Sequence, residues 1–212
     1  MYILIEEKFS LEYIKDMLSS FKIKNIEVNN AKFHHNTSYK TTPLILKHGI
    51  LSLLEMNKLG IKKYSKEVLD KMNDTESHIN GIDAISLSIV GLKDLDPKKL
   101  EYDPFNSSSV DLLISSDINT RRTTTHYDNE FLCFDSITND KIKSVDVRLF
   151  NLIDKSRNID SIKDIIEKYN LLRDIALTIK ELNLDISFRE MSDENLTMDV
   201  DRVSNAPKLT LK

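Results

Sequence analysis

The chain carries 212 residues, 40% hydrophobic and 30% charged, with a formal net charge of -4. That balance excludes a disordered composition and a globally basic nucleic-acid binder, and the length suits one domain, or one domain with an appendage. A local basic patch could still serve a nucleic acid. The single cysteine, Cys133, allows no intrachain disulfide and is compatible with a reducing compartment. The opening residues lack the basic flank and apolar stretch of a signal peptide, and no run approaches the ~18 apolar residues of a membrane helix. The expectation is a soluble cytoplasmic protein without a membrane contact; a leaderless secreted effector is the alternative.

Residues 2–5 suggest a short strand or a helix lead-in. Leu11, Ile14, Met17, Leu18 and Phe21 then follow helical spacing, with Ser10 as a candidate N-cap. One short strand is expected within KIKNIEVNNAKF. HHNTSYKTTP reads as a polar connector that closes an appendage at residues 1–42. Leu44 to Lys47 are expected as a strand with a turn at Gly49, followed by a short helix burying Leu51, Leu54 and Leu59 and stopping at Gly60. A further helix is expected within YSKEVLDKM.

IDAISLSIVGL predicts a strand with Ser86 and Ser88 pointing away from Leu87. VDLLISSDI, EFLCFDSI and IKSVDVRLF predict three more strands, the last two joined around TND, with polar loops between the others. From Ser161 to Leu182 apolar residues recur at offsets of three and four, which predicts an amphipathic helix with Asp160 or Ser161 as cap and Asp164 in the first turn. The organisation expected is α+β: appendage 1–42, core 43–150, C-terminal helix 151–190 and a flexible tail 191–212.

Three places carry candidate chemistry. His48, expected at a strand end, is either a half-buried structural histidine or a ligand-orienting donor, with Gly49 allowing close approach of a ligand. Ser86 and Ser88 share one strand face, either solvent-exposed or lining a pocket and hydrogen-bonding a catalytic carboxylate. Glu130 stands at the entrance of an apolar run, either facing solvent or sitting in a cleft where it stabilises a cation or accepts a proton. Arg121, Arg122, His126 and Tyr127 precede it and could contact phosphates or orient a substrate.

No metal site is expected, because His34 and His35 are adjacent and no Cys, Asp or Glu spacing completes one. Cys133, within the apolar run, reads as packed rather than nucleophilic. No Gly-rich phosphate loop, nucleophile elbow or HExxH helix is present.

In this order, LKHGI, NGIDAISLS and HYDNEFLCFDSI resemble the ADP-ribosyltransferase-like superfamily, whose members bind NAD in the cleft of a split β-sandwich. There an early strand carries a histidine or arginine, a middle strand a Ser, Thr or Tyr, and a late strand a catalytic glutamate. The resemblance covers roughly residues 43 to 150 and implies NAD as substrate. Catalysis would fall to Glu130, and NAD binding to His48, Gly49, Ser86, Ser88, Arg121 and Tyr127.

It further implies a macromolecular acceptor, protein or nucleic acid, and a toxin, effector or defence role in which an antitoxin or immunity partner is compatible. Arg121 and Arg122 would meet the pyrophosphate or recognise the target, and Tyr102 or Tyr127 would stack on nicotinamide. Asp128 stands two positions before Glu130, where arginine-modifying members keep a glutamate or glutamine, so arginine is not assigned as target. The sequence leaves oligomeric state open. Alternatives are an NAD glycohydrolase, a non-catalytic module whose C-terminal helix docks a partner, and a nuclease using His34, His35 or His126.

Overall fold

A computed structural model of the protein describes residues 2–5, 10–25, 28, 30–75, 82–89, 110–122, 130–147, 159–190 and 196–211. In chain order these form β1 (Tyr2–Ile5), α1 (Ser10–Ser20), β2 (Lys22–Asn25), β3 (Ala31–Thr37), α2 (Thr42–His48), α3 (Leu53–Lys58) and α4 (Lys66–Thr75). The middle of the chain supplies β4 (Ile85–Ile89), β5 (Val110–Ser115), β6 (Arg121–Arg122), β7 (Glu130–Cys133), a 3-10 turn at Asn139–Lys141 and β8 (Ile142–Val147). The last part adds α5 (Ile159–Glu181), β9 (Ser187–Glu190), β10 (Leu196–Met198), α6 (Val200–Asn205) and β11 (Lys208–Leu211).

The main sheet runs in the order β2-β10-β9-β8-β5-β3-β4-β7-β6. Its neighbours are antiparallel except β8 and β9, whose parallel pairing sets Val145 opposite Phe188. A parallel pair needs a long crossover, and α5 lies in it. β1 and β11 form a separate parallel pair with Ile3 opposite Leu209. β5 is buried along its whole length, as suits a strand in the middle of a sheet with both faces covered.

Alternation divides the residues of that sheet. Phe33, Leu87, Val110, Leu112, Ile114, Val145 and Phe188 belong to the hydrophobic core, together with Ile165, Tyr169, Leu172, Ile175 and Ile179 of α5. The apolar stripe of α5 is therefore covered by the chain itself, which removes the basis for reading this helix as a partner-docking element. Its polar residues fasten β11: Asn170 Nδ2 donates to the Leu209 carbonyl at 2.9 Å, and the Leu209 N–H donates to Asn170 Oδ1 at 3.0 Å.

Directly opposite each other on β5 and β8 stand Asp111 and Asp146. Both are buried, and each is hydrogen-bonded, Asp111 to His34 and Asp146 to Arg189 at 2.6 Å. Burial raises the Asp146 carboxyl above the ordinary aspartate range, with Arg189 pulling it back.

Several sequence expectations change. Thr42–His48 is a helix, not a strand: Pro43 sits in its first turn, where a missing N–H costs nothing, and Lys47 and His48 occupy its last turn. The expected connector HHNT is the second half of β3, an interior strand paired with β4 and β5. Its polarity misleads because His34 is buried with a carboxylate partner. Residue 42 is therefore no break, since β2 and β3 share the sheet with the elements that follow, and Ile14 of α1 belongs to the core.

Nor are residues 196–211 a flexible tail. They contribute β10, α6 and β11, with Met198, Val203 and Leu209 in the core and Asp199 capping α6 by accepting the Arg202 N–H. α3 begins one residue after Ser52 in a reciprocal Ser52–Glu55 capping box and buries less than expected, Leu59 being 66% exposed.

Candidate active site

β4 alternates as its sequence predicts: Ile85 and Leu87 are buried while Ser86 is exposed. On one side β4 pairs with β7, Ser88 opposite Glu130 and Ser86 opposite Leu132. On the other it pairs with β3, where His34 stands opposite Ser88. Facing residues of adjacent strands share a face, so Ser86, Ser88, Glu130, Leu132 and His34 belong to one face of the sheet. Phe33, Leu87 and Phe131 turn to the other, where the rings of Phe33 and Phe131 lie 5.4 Å apart.

Glu130 is half-buried, and the Ser86 hydroxyl donates to its Oε1 at 2.5 Å. Ser86 has a second partner. The Nδ1 atom of His35 lies 3.0 Å from its backbone carbonyl. A carbonyl oxygen only accepts, so Nδ1 carries the proton and Nε2 of the neutral ring is an acceptor. Burial lowers the His35 pKa from its ordinary value, opposed by the Ser86 carbonyl and by Asp111, which keeps the ring neutral at pH 7.

Ser86 thus serves both faces of the sheet: its hydroxyl bonds Glu130 on one, and its backbone carbonyl takes His35, which alternates with His34 and lies on the Phe33 face. His34 has a different situation: it is buried, with Nδ1 at 3.1 and 3.2 Å from the two carboxylate oxygens of Asp111.

His48 occupies the last position of α2 and is exposed. None of the described hydrogen bonds or ion pairs joins it to Ser86 or Glu130. Gly49 is needed for a reason other than ligand approach. It has φ 81°, and a Cβ there would meet the Ile137 carbonyl oxygen at 2.4 Å. The contact belongs to the bridge between Ile50 and Ile137, closed by bonds of 2.8 and 3.0 Å. The space of the missing side chain is filled by the protein's own backbone.

Arg121 lies on the edge strand β6 opposite Leu132, with its guanidinium 5.4 Å from the centre of the Phe134 ring. The backbone of Arg122 continues β6, and Tyr102, His126 and Tyr127 lie outside the described residues. Cys133 is buried, donates weakly to the Asp135 carbonyl at 3.3 Å, and has its thiol pKa pushed up by burial, as fits a packed residue. Among the described residues no cluster of three or more His, Cys, Asp or Glu side chains could hold a metal ion, and no helix is long and apolar enough to cross a membrane.

His34 and His35 are weighed from the sequence for a metal or a nuclease, and not beside Ser86 and Glu130. The usable signal was the alternation of Phe33, His35 and Thr37 against His34 and Asn36, bounded by the Asn29–Asn30 pair and by the polar run from Ser38 to Pro43. No protein-family model matches the chain, and no curated protein matches it.

Proposed function

We propose that this chain is a mono-ADP-ribosyltransferase that uses NAD as substrate and transfers ADP-ribose to a macromolecular acceptor, on a divergent ADP-ribosyltransferase-like split β-sandwich. The observation that carries the reading is the row His34–Ser88–Glu130 across β3, β4 and β7, on one face of the sheet, with Ser86 bonded to Glu130 beside it. A histidine on an early strand, a serine on a middle one and a glutamate on a late one stand directly opposite one another on adjacent strands. That is the order of residue types the sequence resemblance calls for, with His34 in place of His48.

The polar groups suit a ribose-bearing substrate. Glu130 can accept a hydroxyl of the nicotinamide ribose and oppose the positive charge that develops on the sugar as nicotinamide departs. Ser86 holds the Glu130 carboxylate in place. With water as acceptor the same site is an NAD glycohydrolase.

The test is nicotinamide release from labelled NAD, with and without pools of protein, DNA and RNA. Release that depends on Glu130, and collapses in Glu130→Gln, supports the reading. A folded wild-type protein that neither binds NAD nor releases nicotinamide defeats it.

A further inference from the structure

The same face of the sheet as Glu130 carries Arg121, which the resemblance offers to the pyrophosphate or the target, together with Phe134. Along β7 and just past its end, Glu130, Leu132 and Phe134 follow each other at alternate positions, and Arg121 stands opposite Leu132 on the edge strand. The Arg121 guanidinium lies 5.4 Å from the Phe134 ring centre, which places Phe134 on the Arg121 and Glu130 side. Arg121 is exposed, and Phe134 is 38% exposed although large and apolar.

A cation stacked on an aromatic ring that still meets solvent offers two planar surfaces and one positive charge, next to the carboxylate assigned to the transfer. An arginine or lysine acceptor would meet charge repulsion from Arg121. A nucleobase finds a ring or a guanidinium plane to stack on, and its phosphate finds a counter-charge. The carboxylates on this side are Asp135, a single exposed group beside Phe134, and Glu130, whose Oε1 is held by the Ser86 hydroxyl.

We infer that Phe134 and Arg121 form an acceptor platform that takes a base of single-stranded nucleic acid. This rests on the proposed transferase reading, and it goes further by naming the acceptor class.

The experiment uses the full chain with labelled NAD and mixed-sequence single-stranded DNA and RNA oligonucleotides, and in parallel a protein pool. Oligonucleotide labelling per nicotinamide released is compared among wild type, Phe134→Leu, Phe134→Tyr and Arg121→Ala. Loss of stacking should lower that ratio about tenfold in Phe134→Leu and Arg121→Ala, while Phe134→Tyr keeps it. Equal ratios in all four proteins, or label that enters only protein, overturns the inference and leaves the NAD reading standing.

Should the wild type release no nicotinamide, the transferase reading fails, and anisotropy with a fluorescent oligonucleotide decides the platform separately. Binding weakened about tenfold by Phe134→Leu supports it, and absent or unaltered binding overturns it.

Discussion

Ser86 reaches Glu130 diagonally. The residue directly opposite Glu130 in the ladder is Ser88, yet the 2.5 Å bond comes from Ser86, one pair further along β4. Diagonal neighbours lie within reach in a twisted sheet, and the bond fixes which way the carboxylate turns.

The two serines should therefore differ. Ser86→Ala removes a hydrogen bond to a charged group, worth about 1.5–3 kcal/mol, and nicotinamide release is expected to fall about tenfold or more. Ser88→Ala should change it by less than about threefold, being worth at most ~0.5 kcal/mol at a position with no such bond. Glu130→Gln should cost about 100- to 1,000-fold in turnover with the fold intact, checked by circular dichroism and single-turnover kinetics.

His35 makes stability depend on pH with a definite sign. Its folded-state pKa is lowered by burial, so between its ordinary value near 6.5 and the depressed value the unfolded chain binds more protons. Stability is full above that ordinary value and declines as pH falls through the window. Urea unfolding at pH 7.5 and 5.5 should show a smaller loss in His35→Asn, whose amide can still donate to the Ser86 carbonyl. An equal pH dependence in the variant would contradict the assignment.

Gly49 and His48 separate packing from ligand binding. Gly49→Ala forces a Cβ against the Ile137 carbonyl at positive φ and should destabilise by about 1 kcal/mol or more. His48→Ala, at an exposed helix end, should stay within about 0.5 kcal/mol and leave NAD affinity unaltered by calorimetry.

Asp146 and Arg189 form a buried pair whose side chains are 2% and 11% exposed. Removing one partner from such a pair typically costs about 3–5 kcal/mol, so Asp146→Ala should lower the urea midpoint sharply. Asp117 with Lys141 is the surface contrast: its carboxyl is held down at about 2 by that lysine. Asp117→Asn should nonetheless leave the urea midpoint nearly unchanged, because exposed pairs contribute little.

Elements whose apolar spacing matched their burial were legible. The α5 stripe was expected from Ser161 to Leu182 and runs Ile159–Glu181, and β4, β5 and β8 lie within the segments expected as strands. β3 was not legible, because a strand interior normally advertises itself by apolar residues, and here His34 is buried through its bond to Asp111, 77 positions away. LILK was misread because a short apolar run suits either element; Pro43 in the first turn was the deciding cue.

At the candidate site, Ser86 and Glu130 were both singled out and are hydrogen-bonded, while His48 lies at the end of α2, with no described bond to either. Beside its glycine His48 resembled a ligand contact, whereas that glycine answers to Ile137.

The pairing of β2 with β10, and of β1 with β11, constrains how the molecule comes into being. During synthesis the N-terminal strands leave the ribosome well before their partners exist, and closing such distant contacts is slow. Until residue 198 is available, β2 has no described neighbour in the sheet. The β3–β4–β7 strands that carry Glu130 lie toward the other edge of the sheet and are all synthesised before residue 198. Premature release or C-terminal cleavage would then leave a chain with an exposed β-edge, and a protease or chaperone could tell finished molecules from unfinished ones by that edge.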